Sequence, residues 1–338
     1  MRVEFTHPAQ NRFPAIDELK GLAIIIVVLS HARSVLPLLA ETLRGEVGVD
    51  IFLALSGFLL AFSSTNESTR DFLRKKAWRI LPTYWLALVF FATAKAVTIG
   101  SAQIESLGLH LFALHLFASP QYIYDINRSF WFVPLIVFAY LVFLAVRNRI
   151  ERTGLMIALC GALTVMATLW YQHVGYPDGI MNIAPRFLPL FLGMIAGRAY
   201  RNGSLEIKPG ASILCGITLI AVTMFMGVPY TDSIIGALII SAWLLLRKFF
   251  GRAKGALAFL GVISYEIFLF HQPLIDEFNI FTQKELIGIM PSQGYLTIGV
   301  LAGLALTLVI SVFLHRLLEK GRKLRLESLP REGERPLS

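Results

Sequence analysis

Apolar runs about twenty residues long recur from one end of this chain to the other, and that recurrence limits the folds open to it. A helix rises about 1.5 Å per residue, so a run of that length matches the hydrocarbon thickness of a bilayer. Ten spanning helices are expected, near residues 17–36, 46–64, 80–99, 130–147, 154–171, 184–200, 210–228, 232–250, 256–278 and 295–317. With 56% of its 338 residues apolar and only 16% charged, the chain suits a polytopic, all-α integral membrane protein. No internal repeat or linker divides it, so residues 1–317 are expected to form one transmembrane domain, followed by a polar, basic, frayed tail over 318–338.

A formal net charge of +9 would suggest nucleic acid in a soluble protein, but the distribution of that charge points to a bilayer. Lys and Arg concentrate in alternate loops, 25 of the 31 falling in segments that lie on one side if the amino terminus is inside. The positive-inside rule then puts both termini in the cytoplasm, with an even number of spans. This count demotes 104–117, a short stretch with two histidines, to an interfacial helix on the outer side, since a span there would invert every later loop. Asp17 and Glu18, and the lack of a small-residue cleavage site, argue against reading the first run as a signal peptide. Cys160 and Cys215 fall inside expected spans with no metal or redox spacing and are read as packing residues.

Ionisable residues inside a bilayer are expensive and mark function. Lys20 and His31 lie in the first apolar run, and one helix would hold them about 16 Å apart along its axis. One end could then grip a charged group at the inner interface while the other works on something in the outer half. Asp50, near the outer start of the second span, is expected at the depth of His31, where a carboxylate can orient an imidazole that acts as general base; each residue alone also reads as structural. Arg74, Lys75, Lys76 and Arg79 crowd the inner entrance of the third span. Such runs anchor topology on anionic lipid; Lys76 and Arg79, three apart on one helical face, also suit a diphosphate clamp. In the ninth span Glu266 and His271 interrupt apolar sequence, with the histidine toward the outside, where it converges in depth with His31 or serves as a helix-packing polar group. Trp131 falls where an aromatic belt is expected, and Gly193 and Gly197 make a small-residue pair that normally means close helix packing. Arg186, between Pro185 and Pro189 near an outer end, is either a snorkelling anchor or the partner of an anionic group.

Six segments, in order, resemble the membrane-bound acyltransferase type 3 family, the bacterial group that includes polysaccharide O-acetyltransferases. They are RFPAIDELKGLAIIIVVLSH, GVDIFLALSGFLL, RKKAWRILPTYW, SFWFVPLIVFAY, FLGMIAG and ISYEIFLFHQPL, and together they cover roughly residues 12–317. The resemblance implies that acetyl-CoA or another acyl-CoA arrives from the cytoplasm and that its acyl group reaches a hydroxyl of a cell-surface or periplasmic glycan. Lys20 matches the basic position and His31 the histidine of the family's opening motif, while Lys76 and Arg79 match a pair of arginines associated with CoA. A lysine in that pair keeps the charge but loses bidentate phosphate geometry. The glutamate that often follows the family's tryptophan is replaced here by Pro134, Leu135 and Ile136.

The expected function is therefore O-acyl transfer in the bacterial inner membrane. Lys20, Lys76, Arg79 and Arg74 would bind the CoA phosphates, and His31, Asp50 and His271 would carry the chemistry on a glycan or lipid-linked saccharide acceptor. No metal and no nucleic acid is expected. His31 acts either as general base or by forming an acyl-imidazole. The alternative is a polysaccharide or lipid-linked glycan exporter whose path is lined by the same residues, and a weaker third reading is a structural partner in an envelope assembly.

Overall fold

The computed structural model describes residues 13–32, 35, 44–63, 67–99, 104–148, 186–203 and 232–327, with scattered positions between 158 and 173 and between 213 and 218. The spans expected at 154–171 and 210–228, with Cys160 and Cys215, lie largely outside the described residues.

All regular structure among the described residues is helical. The main elements are α1 (Pro14–His31), α2 (Gly45–Ser63), α3 (Thr69–Ile99), α4 (Ile104–Leu111), α5 (Phe132–Val146), α6 (Phe187–Arg201), α7 (Asp232–Leu246), α8 (Ala253–Val262), α9 (Ser264–Leu286) and α10 (Ser292–Glu327). Among the described residues four helical stretches are long and apolar enough to cross a membrane, or five if the bent pair α8–α9 counts as one. Two of the ten expected spans lie largely outside the described residues, and three others fall short of the length or hydropathy of a span. Asp17, Glu18 and Lys20 interrupt the hydropathy of α1, and α6 and α7 have 15 residues each, about 22 Å of helix.

Local sequence explains several of these boundaries. Pro14 opens α1, where its missing N–H costs nothing, and Asp17 sits in the first turn, where the helix dipole favours an anion. The expected ninth span at 256–278 is not one helix, because the chain turns at Ile263 and α8 meets α9 at 79°. The Ser264 hydroxyl donates to the Gly261 carbonyl, 2.8 Å away, satisfying an acceptor at that corner. α10 runs on to Glu327, past the point where a frayed tail was expected, because Leu, Glu, Lys and Arg are all good helix formers. Segment 104–117 is not a single span. α4 is about 12 Å long and ends in a turn with Ala113 at φ 54°, followed by the 3-10 turn His115–Phe117. The turn's own N–H groups satisfy several of its last carbonyls, Ala113 N donating to His110 O at 2.9 Å, and α3 adds side-chain donors: Tyr84 Oη to the same His110 O at 2.6 Å, and Trp85 Nε1 to Leu111 O at 3.1 Å.

α1 packs against α2, α8 and α9, α2 against α6 and α7, and α9 against α10. The expectation for Gly193 and Gly197 is met in the α2–α6 contact, where a Cβ at either position would collide with the carbonyl of Ala54 or Phe58. Small residues let these two backbones approach, which drives helix association where lipid is as apolar as the side chains. The larger core surrounds Phe72, Tyr84, Phe130 and Phe143, all fully buried, and joins α1, α2, α3, α5, α6 and α9. A second cluster, around Leu19, Ile51 and Trp243, joins α1, α2 and α7.

Candidate functional site

His31 ends α1, and His271 lies in the second turn of α9. Their rings stand 5.1 Å apart between centroids, so the two histidines expected at one depth are in fact neighbours. His271 is 1% exposed, and its Nδ1 lies 3.1 Å from the Ile267 carbonyl and 2.8 Å from that of Phe268. Carbonyls only accept, so Nδ1 carries the proton, and in the neutral ring Nε2 presents a lone pair. That Nε2 is buried and lacks a hydrogen-bond partner among the described residues. A buried, unsatisfied acceptor is costly, and it marks a place where a hydroxyl or N–H donor would be bound.

Asp50 does not join this pair as expected. A Cβ on Gly45 would fall 2.5 Å from Ser30 Oγ, and one on Gly48 would fall 2.5 Å from Ala23 O, so α1 and α2 run antiparallel with residue 45 level with the end of α1. Asp50 therefore lies about 9 Å below His31 along the helix axis. Its carboxylate serves another network. Arg186 Nη1 donates to Asp50 Oδ1 at 2.8 Å, and the Ser233 hydroxyl donates to Oδ2 at 2.6 Å. Asp232 Oδ2 stands 4.0 Å from the same guanidinium, and Arg44 lies 3.3 Å from Asp232 Oδ1. Of the two readings open for Arg186, the structure selects the anionic partner. The network ties α2 to the first residues of α6 and α7. Asp50 and Ser233 also line a largely apolar cavity of about 220 Å³ between α1, α2, α6 and α7.

At the opposite end of α1, three cations converge. Lys20 lies 3.6 Å from Asp17 and within electrostatic range of Arg79, and Lys76 is in range of both. Lys76 Nζ stands 5.4 Å from the ring centroids of Phe72 and of Tyr140, a cation–π arrangement that holds it toward α5. Like charges gathered on two helices repel one another, and a polyanion would relieve that repulsion. Arg74 is not part of the group. It points about 200° around α3 from Lys76, is exposed, and pairs with Asp71 at 3.2 Å. Tyr265, at the start of α9, donates to the Ile80 carbonyl at 3.2 Å, so α9 leads from the neighbourhood of the cations to His271.

Glu266 faces His315 of α10, with 3.3 Å between Oε1 and Nδ1, and so belongs to the α9–α10 contact. Trp131 closes the 3-10 turn Arg128–Trp131 and packs against the larger core. Two arrangements had no clear sequence signal. Glu18, read only as evidence against a signal peptide, is buried and takes a bidentate grip from Arg247 at 2.8 and 2.7 Å and a bond from Trp243 Nε1 at 3.0 Å. Asn127 bonds to α9 next to His271, from a loop position that no motif marks.

The model of an acyltransferase domain matches residues 13–316. Over 248 residues the chain is 26% identical to the exopolysaccharide production protein ExoZ of Rhizobium meliloti, an alignment that covers 67% of this chain and 75% of that protein. It is 23% identical over 345 residues to BcsY of Komagataeibacter xylinus, whose name describes it as a candidate membrane-bound transacylase; the alignment covers 92% of this chain and 83% of that one. No solved structure is significantly similar to the chain. With the apolar helices that surround the two sites, these matches make the chain a membrane protein of the acyltransferase type 3 family.

Proposed function

We infer that this protein is a multi-pass O-acyltransferase of the bacterial inner membrane, with ten spans and both termini in the cytoplasm. It moves an acyl group, acetyl in the simplest case, from cytoplasmic acyl-CoA to a hydroxyl of a cell-envelope or exported glycan. The observation that carries the reading is the pairing of His31 with a buried His271 whose Nε2 lacks a donor, at the far end of α1 from three converging cations. The name of ExoZ, which refers to exopolysaccharide production, supports a glycan acceptor, and the name of BcsY supports acyl transfer.

In this mechanism Lys20, Lys76 and Arg79 neutralise the CoA phosphates, and the pantetheine arm extends along α1 toward His31. His31 takes the proton of the acceptor hydroxyl as its oxygen attacks the thioester carbonyl. The C–S bond then breaks, the thiolate receives that proton, and CoA and an O-acyl ester leave. With its proton on Nδ1, neutral His271 offers a lone pair and no N–H from Nε2. It is therefore suited to accept from the acceptor hydroxyl and not to stabilise an oxyanion. Asp50 is assigned to the Arg186 network and Arg74 to the helix surface.

The test is the O-acyl content of surface glycans in cells lacking the protein, complemented with wild type or His31→Ala at matched membrane levels. Loss of the base should lower the rate by about 10²- to 10⁴-fold. Normal acylation by His31→Ala would overturn the mechanism, and unchanged acylation with lost glycan export in the deletion strain would favour an exporter.

A further inference from the structure

Pro273 sits inside α9, two residues after His271. Proline has no N–H, so the Leu269 carbonyl four residues earlier loses its helical donor, and the open turn of the ladder is the one that contains His271. An orphaned carbonyl in a water-free setting needs a partner, and here a side chain supplies it. Asn127 Nδ2 donates to Leu269 O at 2.8 Å across 142 residues of sequence. Its Oδ1 accepts from the Ser129 N–H at 2.7 Å, which caps the 3-10 turn Arg128–Trp131. Asn127 is 2% exposed, with both ends of its amide engaged. Next to it the Ser129 hydroxyl approaches Gln272 Oε1 at 3.4 Å, so the 127–131 turn holds α9 on both sides of His271 in sequence.

We propose that Asn127 is a positioning residue for His271: it replaces the N–H that Pro273 lacks and so sets where the His271 ring stands relative to His31. A proline in this turn makes the local geometry depend on a group from another element, because the helix cannot close the ladder by itself. The aim of Nε2 is thus set by the Asn127 loop as well as by α9. The assignment rests on the reading of His31 and His271 as the reacting pair.

Purified protein in proteoliposomes made with an extract of the native membrane lipids and saccharides is assayed for CoA thiol release from acetyl-CoA and for thermal unfolding. Asn127→Ala should lower kcat by about 10- to 100-fold, the scale of a misplacement near 1 Å, with KM for acetyl-CoA little changed. Asn127→Ala/Pro273→Ala gives Leu269 its backbone donor back. It should recover thermal stability while kcat stays low, since the contact that aims the ring is still missing. Pro273→Ala alone, which keeps Asn127 but makes the backbone compete for the same carbonyl, should fold and also lose kcat, so the test survives if Asn127→Ala is too unstable to assay. Recovery of kcat together with stability in the double variant would reduce Asn127 to filling a hydrogen bond and overturn the proposal, as would full kcat in Asn127→Ala or Pro273→Ala. Wild type that releases no CoA above empty liposomes, or His31→Ala that matches wild type, would instead defeat the acyl-transfer reading.

Discussion

Arg186 shows how one residue gains its meaning only when the chain is folded. From sequence it is a single basic residue between two prolines, equally suited to snorkelling or to pairing. In the structure it is 5% exposed beside Asp50 at 3% and Asp232 at 2%, so its charge is balanced chiefly by carboxylates 136 and 46 residues away. Desolvating such a set is expensive, and removing one member leaves an uncompensated charge. Arg186→Met is therefore expected to destabilise the protein by about 3–5 kcal/mol in detergent unfolding. Arg186→Met/Asp50→Leu should cost less than the sum of the two single changes, because the double variant no longer buries a lone charge. Additive costs would show that the two side chains do not interact. The same residue scale explains why the Asp50 expectation failed. Depth was read from distance to the span end, whereas the contacts of Gly45 and Gly48 slide Asp50 a turn or more past His31.

Among the elements, the segment from α4 to the Arg128–Trp131 turn carries the clearest pH dependence. His110 and His115 are fully buried and stacked at 3.8 Å, with His110 Nε2 3.6 Å from Asp125 and Lys95 donating to the Asp125 carbonyl. Burial lowers the His110 pKa, and burial together with the charge of His110 brings His115 down to about 3. When the segment undocks, His115 titrates near its ordinary value of about 6.5, so between pH 6.5 and 3 the undocked state binds the extra proton. Docking is thus at full strength above pH 6.5 and weakens on acidification, by about 1.4 kcal/mol per pH unit for the His115 imidazole, with His110 acting in the same direction. Hydrogen exchange over 104–131 should be faster at pH 5 than at pH 7 after correction for intrinsic rates, and His115→Leu should flatten that difference. An unchanged slope would mean that His115 is not the titrating group. The element scale also holds the largest departure from expectation, the right-angled α8–α9 corner. Hydropathy reads 256–278 as continuous, and nothing in apolar composition reports that the chain turns at Ile263.

At the scale of the whole molecule the proposed mechanism makes the cation cluster and the histidine pair separate ends of one path. α1 joins them, with Lys20 about 16 Å from His31, and α9 runs beside it from Tyr265 to His271. Charges that far from the reacting atoms should govern donor binding and not the chemical step. Lys76→Ala and Arg79→Ala are each expected to raise KM for acetyl-CoA about tenfold or more, the scale of a lost charge-assisted hydrogen bond, with kcat little altered. A fall in kcat with unchanged KM would place these residues in the chemistry and break the two-ended arrangement.

The sequence by itself determined that the chain is helical and membrane-embedded, and where most helices lie, because apolar runs of bilayer length have few other solutions. It also marked His31, His271 and Lys20, since an ionisable group in an apolar run stands out without any knowledge of its neighbours, whereas Lys76 and Arg79 stood out from their basic run only through their one-face spacing and the family resemblance. Partnership was decided by tertiary structure alone: His31 with His271, Asp50 with Arg186, Glu18 with Arg247 and Asn127 with Leu269. Those pairs join residues far apart in the chain, and helix register, azimuth and close glycine packing choose among them. None of these three leaves a periodic trace in the sequence of either partner, whereas the hydrophobic thickness of a bilayer leaves one in every span.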